Sequence, residues 1–370
     1  MKKAFKIIIS GGGTGGHIFP AIAIANEVKT AYPQAEVLFV GALGKMEMEK
    51  IPEAGYAIVG LPMAGLQRSM SLKNLTLPFK IGKSLRLAGK IINDFKPDVI
   101  VGVGGYASGP LLWMAARKGI PCIIHESNSY AGLTNRLLAK RAKIVCVAHN
   151  NMERFFPKEK IRLTGNPVRN SIVPVTEKLR QEGCRFFGID PTRICILVVG
   201  GSLGARTLNN CVQTYTQQYG AASPAEVIWQ CGGYYRQTCE AFVQAHPTTW
   251  LHLHPFINRM ELAFAVADVV ISRSGASTLA ELCVAGKAVI FVPSPNVSED
   301  HQTHNAMALV NQQAALMVPE DQAAETLMQT ALNLAHQAEQ KASLEHNISK
   351  LAQPNAVEAI VHEIIHLIKS

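Results

Sequence analysis

The sequence predicts an α/β protein of two Rossmann-like domains facing each other across a cleft. Three observations carry this. The 370 residues exceed one ordinary domain and suffice for two substantial cores. Short, β-branched apolar runs alternate with helix-length segments from end to end, the pattern of βα units and parallel sheets. Each half also opens on a strand that runs into a glycine-rich turn: Ile7-Ile-Ile-Ser-Gly-Gly-Gly-Thr-Gly-Gly-His17 and Ile196-Leu-Val-Val-Gly-Gly-Ser-Leu-Gly-Ala-Arg206.

In the first half the runs Phe5–Ser10, Glu36–Val40, Asp98–Val103, Pro121–His125, Lys143–Val147 and Ile161–Thr164 predict strands. The second half supplies Arg193–Gly200, Glu226–Gln230, Trp250–His254, Asp268–Ser272, Ala288–Val292 and Ala315–Val318. Gly165-Asn-Pro-Val-Arg169 marks the junction, because Pro167 favours extended backbone before it. The expected domains are therefore 1–165 and 166–354. From 355 to 370, Val357, Ile360, Val361, Ile364, Ile365 and Ile368 follow helical spacing and predict an amphipathic helix, whose docking partner the pattern does not name.

Hydrophobic residues make up 48% and charged residues 17%, which suits compact domains and argues against disorder. No apolar run reaches the roughly 18–20 residues of a spanning helix, and the apolar start is too short for a signal peptide. The expectation is a cytoplasmic protein. Eight scattered cysteines form no C-x-x-C pair, so they read as buried thiols and not as disulfides or metal ligands.

Charge is uneven. Residues 1–165 hold 23 basic against 10 acidic side chains, and residues 166–370 hold 13 against 17. Between Ala54 and Asn93 there is no acidic residue, while Arg68, Lys73, Lys80, Lys83, Arg86 and Lys90 alternate with apolar residues such as Met70, Leu75, Phe79 and Ile81. Such a mixture suits an anionic membrane surface; a solvated helix face over an ordinary core is the plainer alternative. No aromatic-rich strand or recognition-helix motif supports nucleic-acid binding.

The first glycine loop ends in His17 and leads into a helix with apolar Ile18, Ala21, Ile22, Ala25 and Val28, with Pro20 suiting its first turn. A glycine turn before a helix lets backbone N–H groups approach phosphate. It lacks the lysine of a phosphate loop, and Val37–Gly41 lacks the acidic residue of a nicotinamide site. His17 is placed to bind pyrophosphate or shuttle a proton. In Asp268-Val-Val-Ile-Ser-Arg-Ser-Gly-Ala-Ser-Thr-Leu-Ala-Glu-Leu282 a strand, a turn of small residues and a helix follow one another. Ser277 and Thr278 with free N–H groups would hold an anion, and Glu281 would accept two ribose hydroxyls; a capped helix with a structural glutamate explains the same residues. His301 and His304 lack a third metal partner, whereas Gln302 and Asn305 offer amides to sugar hydroxyls. Gly104, Gly105, Tyr106 and Ser108 at one strand end, with His125, Glu126 and Asn128 at another, would line a crevice for the acceptor in the first half.

Taken in order, Gly12-Gly-Thr-Gly-Gly-His17, Gly104-Gly-Tyr-Ala-Ser-Gly-Pro110, His125-Glu-Ser-Asn128 with Ala131-Gly-Leu-Thr-Asn135, Gly165-Asn-Pro-Val-Arg169, Gly200-Gly-Ser-Leu-Gly-Ala205, Ser272–Glu281 and Asp300-His-Gln302 resemble the MurG family of peptidoglycan enzymes. The resemblance runs from the first strand to about residue 310. It implies a GT-B-type glycosyltransferase that moves N-acetylglucosamine from UDP-N-acetylglucosamine to a lipid-linked muramyl-pentapeptide, with inversion, at the cytoplasmic face of the membrane. It further implies a donor site of Thr14, Gly15, Gly16, Asn128, Arg169, Ser202, Ile257, Ala276, Ser277, Thr278, Leu279, Ala280, Glu281 and Gln302, with Ile257 meeting the uracil through its backbone. Ser127 and Leu203 depart from the family, which often carries Gln there. No cofactor and no metal motif is read. A UDP-sugar epimerase, a lipid galactosyltransferase or a non-catalytic nucleotide-sugar-binding subunit on the same scaffold are the competing readings. Inverting transfer needs a base for the acceptor hydroxyl. His17 and Glu126 are both candidates, and His17 is favoured because it sits beside the glycine loops.

Overall fold

The computed structural model describes residues 5–63, 77–201 and 203–369, and the chain divides into two compact units. One comprises Met1–Val168 with Asn355–Ser370, the other Arg169–Pro354. The crossing thus lies a few residues beyond the expected 165/166 boundary, and the chain returns to the first unit at its end.

In the first unit β1 (Lys6–Gly11), β2 (Glu36–Ala42), β3 (Ile58–Leu61), β4 (Val99–Gly104), β5 (Cys122–Glu126), β6 (Ile144–Val147) and β7 (Ile161–Leu163) form one parallel sheet. Their order is β3-β2-β1-β4-β5-β6-β7. The helices are α1 (Gly15–Ala31), α2 (Glu47–Glu53), α3 (Leu77–Phe95), α4 (Ser108–Arg117) and α5 (Leu133–Ala139). In the second unit β8 (Ile194–Val199), β9 (Ala225–Gln230), β10 (Leu251–His254), β11 (Val269–Ser272), β12 (Val289–Phe291) and β13 (Leu316–Met317) run parallel in the order β10-β9-β8-β11-β12-β13. Its helices are α6 (Glu177–Phe187), α7 (Arg206–Tyr219), α8 (Arg236–Ala245), α9 (Met260–Val266), α10 (Ala276–Ala285), α11 (His301–Val310), α12 (Ala323–His336) and α13 (Ala338–Ser349). The final helix is α14 (Ala356–Lys369).

Every predicted strand is present within a residue or two of its expected ends. The additional strand is β3, four mostly half-buried residues at the sheet edge, with Gly60 inside the strand and Pro62 just beyond it. Pro20 is the other difference: α1 begins at Gly15, so the ring lies within the helix and leaves the Gly16 carbonyl without its i+4 donor.

Parallel sheets bury both faces, and successive side chains of one strand enter opposite layers. Ile8 of β1 packs with Ile100, Ile124 and α4, whereas Ile7 and Ile9 pack with Ile18, Ile24 and α1. The stripe of α14 completes that second layer: Ile360, Val361, Ile364 and Ile365 join the α1 cluster, which settles where the tail lands. All eight cysteines are buried and unbridged. Burial pushes the Cys122, Cys146 and Cys283 thiols up to about 12, so they stay protonated and act as small apolar side chains.

Ile364 is fully buried. Ile364→Ala is expected to cost about 2–5 kcal/mol in denaturant unfolding. On the same helix, exposed His366→Ala should change stability by less than about 0.5 kcal/mol.

Candidate active site

In the first sheet the strand order reverses direction beside β1 and β4, the switch point at which open α/β sheets expose their strand ends to ligands. The first glycine loop leaves β1 there. Thr14 is the extended N-cap of α1, and Gly15 and Gly16 fill its first turn, where N–H groups have no intrahelical acceptor. His17 follows, half-buried, with Nδ1 3.0 Å from the Gly12 carbonyl oxygen and 3.5 Å from Thr14 Oγ1. A carbonyl can only accept, so Nδ1 carries a proton, and in the neutral ring the lone pair is then on Nε2. The ring lies against β4: a Cβ at Gly104 would stand 2.8 Å from Nε2. At Gly105 (φ +91°) a Cβ would strike the backbone of Gly12, so the two loops touch main chain to main chain. Tyr106 is 44% exposed. Ser108 was expected on the acceptor side; instead it is buried and donates to the Gly105 carbonyl at 2.7 Å, fastening the loop.

At the end of β5 the structure corrects the expectation for Glu126. One carboxylate oxygen accepts from the Asn128 N–H (3.0 Å) and Nδ2 (3.2 Å), and the other from the Gly132 N–H (3.0 Å) and Asn135 Nδ2 (2.8 Å). Four donors on a buried carboxylate make it the organiser of the Ser127–Gly132 loop and leave it badly placed to take a proton. Asn128, expected at the donor, is one of those donors. His125 is fully buried, and burial holds its pKa below the ordinary value. Its Nε2 donates to the Gly165 carbonyl at 3.0 Å and its Nδ1 faces the Ser127 hydroxyl at 3.4 Å, so it ties β5 to the chain that leaves β7.

The second unit has its own reversal, between β8 and β11. The loop after β8 is held by the buried side chain of Gln230, which accepts from the Gly201 N–H (3.0 Å) and donates to the Gly201 carbonyl (2.9 Å). Ser202 lies outside the described residues. After β11, Gly275 caps α10 with extended backbone. Ala276, Ser277 and Thr278 form its first turn, and the buried Ser277 hydroxyl has no hydrogen-bond partner among the described residues. Ala280 is half-exposed. Leu279 was expected at the donor, but its side chain belongs to the core and only its backbone can serve a ligand.

Glu281 is paired. Arg169 Nε and Nη2 donate to its two oxygens at 2.6 and 2.8 Å, a bidentate fork. Burial opposes the Arg169 charge, yet this carboxylate holds the guanidinium above its ordinary pKa. Each oxygen retains one lone pair beyond the fork. Arg169, which the resemblance puts at the donor site, therefore orients Glu281 here. Gln302 accepts from the Ser294 N–H at 2.9 Å through its side-chain oxygen, and its carbonyl accepts from the Ser274 hydroxyl at 2.8 Å. Asn305 is buried and donates to the Ser274 carbonyl, so it serves the β11–α10 turn. Ile257 is buried between β10 and α9, beside exposed Phe256. Glu299 and Asp300 both adopt left-handed backbone (φ +53° and +51°) just before α11, a strained pair at the edge of this cluster.

Three side chains escaped sequence reasoning. Gln230 is one. Arg273 is another: it donates to the carbonyls of Val292 (2.9 Å) and Pro293 (3.2 Å) and forms an ion pair with Glu320, which also accepts from Thr207 at 2.5 Å. That clasp joins the β11–α10 turn, the end of β12 and the starts of α7 and α12. Burial works against the Glu320 charge, but Arg273 and Thr207 together hold its carboxyl below the usual range. The third is Glu47, which lies beneath the first glycine loop with its carboxylate on the Gly13 and Ala42 amides. Arg273 was visible within its motif; Glu47 stands 34 residues from the amide it holds and gave no local signal.

The chain matches the glycosyltransferase family 28 N-terminal domain over residues 7–147 and the family 28 C-terminal domain over residues 195–360. A UDP-N-acetylglucosamine–N-acetylmuramyl-(pentapeptide) pyrophosphoryl-undecaprenol N-acetylglucosamine transferase of Parabacteroides distasonis is 52% identical, across 99% of both chains. The protein of the same name from Phocaeicola vulgatus is 53% identical, across 99% of this chain and 97% of its own. Among solved structures, Acinetobacter baumannii MurG superposes with a TM-score of 0.76 at 29% identity, across 98% of this chain and 99% of that one. Two parallel-sheet domains of the GT-B type, the ordered motifs and these full-length matches agree: the chain belongs to glycosyltransferase family 28, as a MurG-type N-acetylglucosamine transferase.

Proposed function

We propose that this enzyme transfers N-acetylglucosamine from UDP-N-acetylglucosamine to the N-acetylmuramyl-pentapeptide carried on pyrophosphoryl-undecaprenol, with inversion at the anomeric carbon. The observation that carries this reading is the full-length identity of about half the residues to transferases named for that reaction. The neutral His17 ring, whose Nδ1–H donates to Gly12, takes the proton of the acceptor hydroxyl on Nε2 as that oxygen attacks the anomeric carbon. The bond from that carbon to the diphosphate breaks on the opposite face, and UDP leaves with the electron pair. The N-terminus of α10, with the Ser277 and Thr278 hydroxyls, meets the departing charge; the unpartnered Ser277 oxygen supports this role. Glu281, oriented by Arg169, accepts the ribose hydroxyls with its remaining lone pairs. Gly104, Gly105 and exposed Tyr106 lie on the acceptor side.

The acceptor's lipid chain calls for a peripheral seat on the cytoplasmic face of an anionic membrane. Support comes from the start of α3, where Phe79 is 82% exposed and Ile81 37%, between Lys80 and Lys83, which are also exposed. The preceding stretch with Arg68 and Lys73 lies outside the described residues. Among the described residues no helix is long and apolar enough to cross a membrane.

Incubation with radiolabelled UDP-N-acetylglucosamine and the lipid-linked acceptor should yield labelled lipid product; donor binding without transfer would overturn the reading. His17→Ala should lower kcat by about 10²–10⁴-fold with UDP affinity intact. Glu281→Gln removes a charged acceptor worth about 1.5–3 kcal/mol per hydrogen bond, so calorimetry should find UDP bound at least about tenfold more weakly. Replacing Lys73, Lys80, Lys83 and Arg86 with Gln should weaken sedimentation with phosphatidylglycerol vesicles, by about 1 kcal/mol per residue and most visibly at low salt.

A further inference from the structure

Glu47 opens α2 and is 1% exposed, yet among the described residues no cation lies within ion-pair distance of it. A buried charge of this kind is costly unless hydrogen bonds hold it. Two do: the Ala42 N–H donates to Oε1 at 3.0 Å and the Gly13 N–H to Oε2 at 2.9 Å. A Cβ at Gly12 or at Gly41 would collide with the Glu47 side chain, so two glycines from separate strand ends make room for one carboxylate. The peptide group that donates through Gly13 N–H is the one whose carbonyl, Gly12 O, accepts from His17 Nδ1 at 3.0 Å.

We propose that Glu47 is a positioning residue for His17, acting through the single peptide group that joins Gly12 to Gly13. The peptide is planar, so holding its N–H fixes the direction of its carbonyl. A carboxylate on the N–H also polarises the group and strengthens the carbonyl as an acceptor. The carbonyl then keeps the proton on Nδ1 and steadies the imidazolium that forms when Nε2 takes a proton. This is the task a carboxylate performs directly on histidine in hydrolase triads, lengthened here by one peptide. The other titratable groups near the ring are His125, which burial keeps neutral and which feels the His17 charge, and Glu126 beside it. Neither contacts Nδ1, whose shorter contact is the 3.0 Å one to Gly12 O, against 3.5 Å to the Thr14 hydroxyl. The inference rests on His17 being the base.

The test is a double-mutant cycle of kcat against pH, at saturating donor and acceptor, on wild type, Glu47→Gln, His17→Ala and the double variant. Glu47→Gln should lower kcat by between about tenfold and the loss seen for His17→Ala. Its acid limb should move to lower pH, because losing the negative charge disfavours the imidazolium. UDP affinity should stay near wild type, while the melting temperature falls modestly, because the Gln amide can accept from only one of the two N–H groups. Added to His17→Ala, the same change should cost less than about twofold further, since the group it positions is gone. Equal losses in both backgrounds, or an unmoved acid limb, would overturn the inference and leave Glu47 as a prop for the loop. Should Glu47→Gln fail to fold, Glu47→Asp enters the same cycle, and its loss must likewise vanish without His17. Full turnover by His17→Ala would refute the base itself; a collapsed His17→Ala beside a wild-type Glu47→Gln would refute this inference alone.

Discussion

An all-parallel sheet sends every strand out at the same edge, and both faces of that sheet must be covered by helices. The rest of this molecule depends on that constraint. It brings the first glycine loop, the Gly104–Gly105 turn and the His125–Asn128 segment to one edge of the first sheet. It brings the Gly201 loop, the Ser272–Gly275 turn and the start of α11 to one edge of the second. It also explains the long return of the chain: the layer under α1 needs α14, whose apolar stripe finds a place among Ile7, Ile9 and Ile18.

Loops gathered at a sheet edge must still be held in shape, since their amides and carbonyls lack ladder partners. Both units solve this with buried polar side chains reaching from a neighbouring element. Glu126 gathers four donors, Gln230 takes both the amide and the carbonyl of Gly201, and Arg273 with Glu320 joins four chain segments. Such residues look like ligands in the sequence because they are polar and lie in the motifs. Several of them face inward. What is left unspent within the protein is smaller than the motifs suggest: helix N-termini, the Ser277 hydroxyl and the outer lone pairs of Glu281.

Much of the fold was legible because a strand buried on both faces is a plain apolar run, and because glycine turns punctuate such runs. The edge strand β3 was missed because it is only four residues long, with Gly60 inside it and Pro62 just beyond, both turn signals. The site was legible only as a set of positions. His17, Ser277 and Glu281 were singled out through helix starts and spacing, which are local properties. Their state was hidden, because it is set by partners far along the chain. Arg169 and Glu281 are 112 residues apart, and His125 reaches Gly165 across 40.

By itself, then, the sequence determined two parallel-sheet domains, the glycine turns at their strand ends, the uneven charge and the family to which the ordered motifs belong. These follow from short-range patterns of burial and backbone freedom. Only the tertiary structure decided which polar groups are spent within the protein and which are left for chemistry. It surrounded the Glu126 carboxylate with donors, turned His17 Nδ1 toward the Gly12 carbonyl, and paired Glu281 with Arg169. A hydrogen bond is settled by distance and direction between groups the chain brings together from afar, and no local spacing records either.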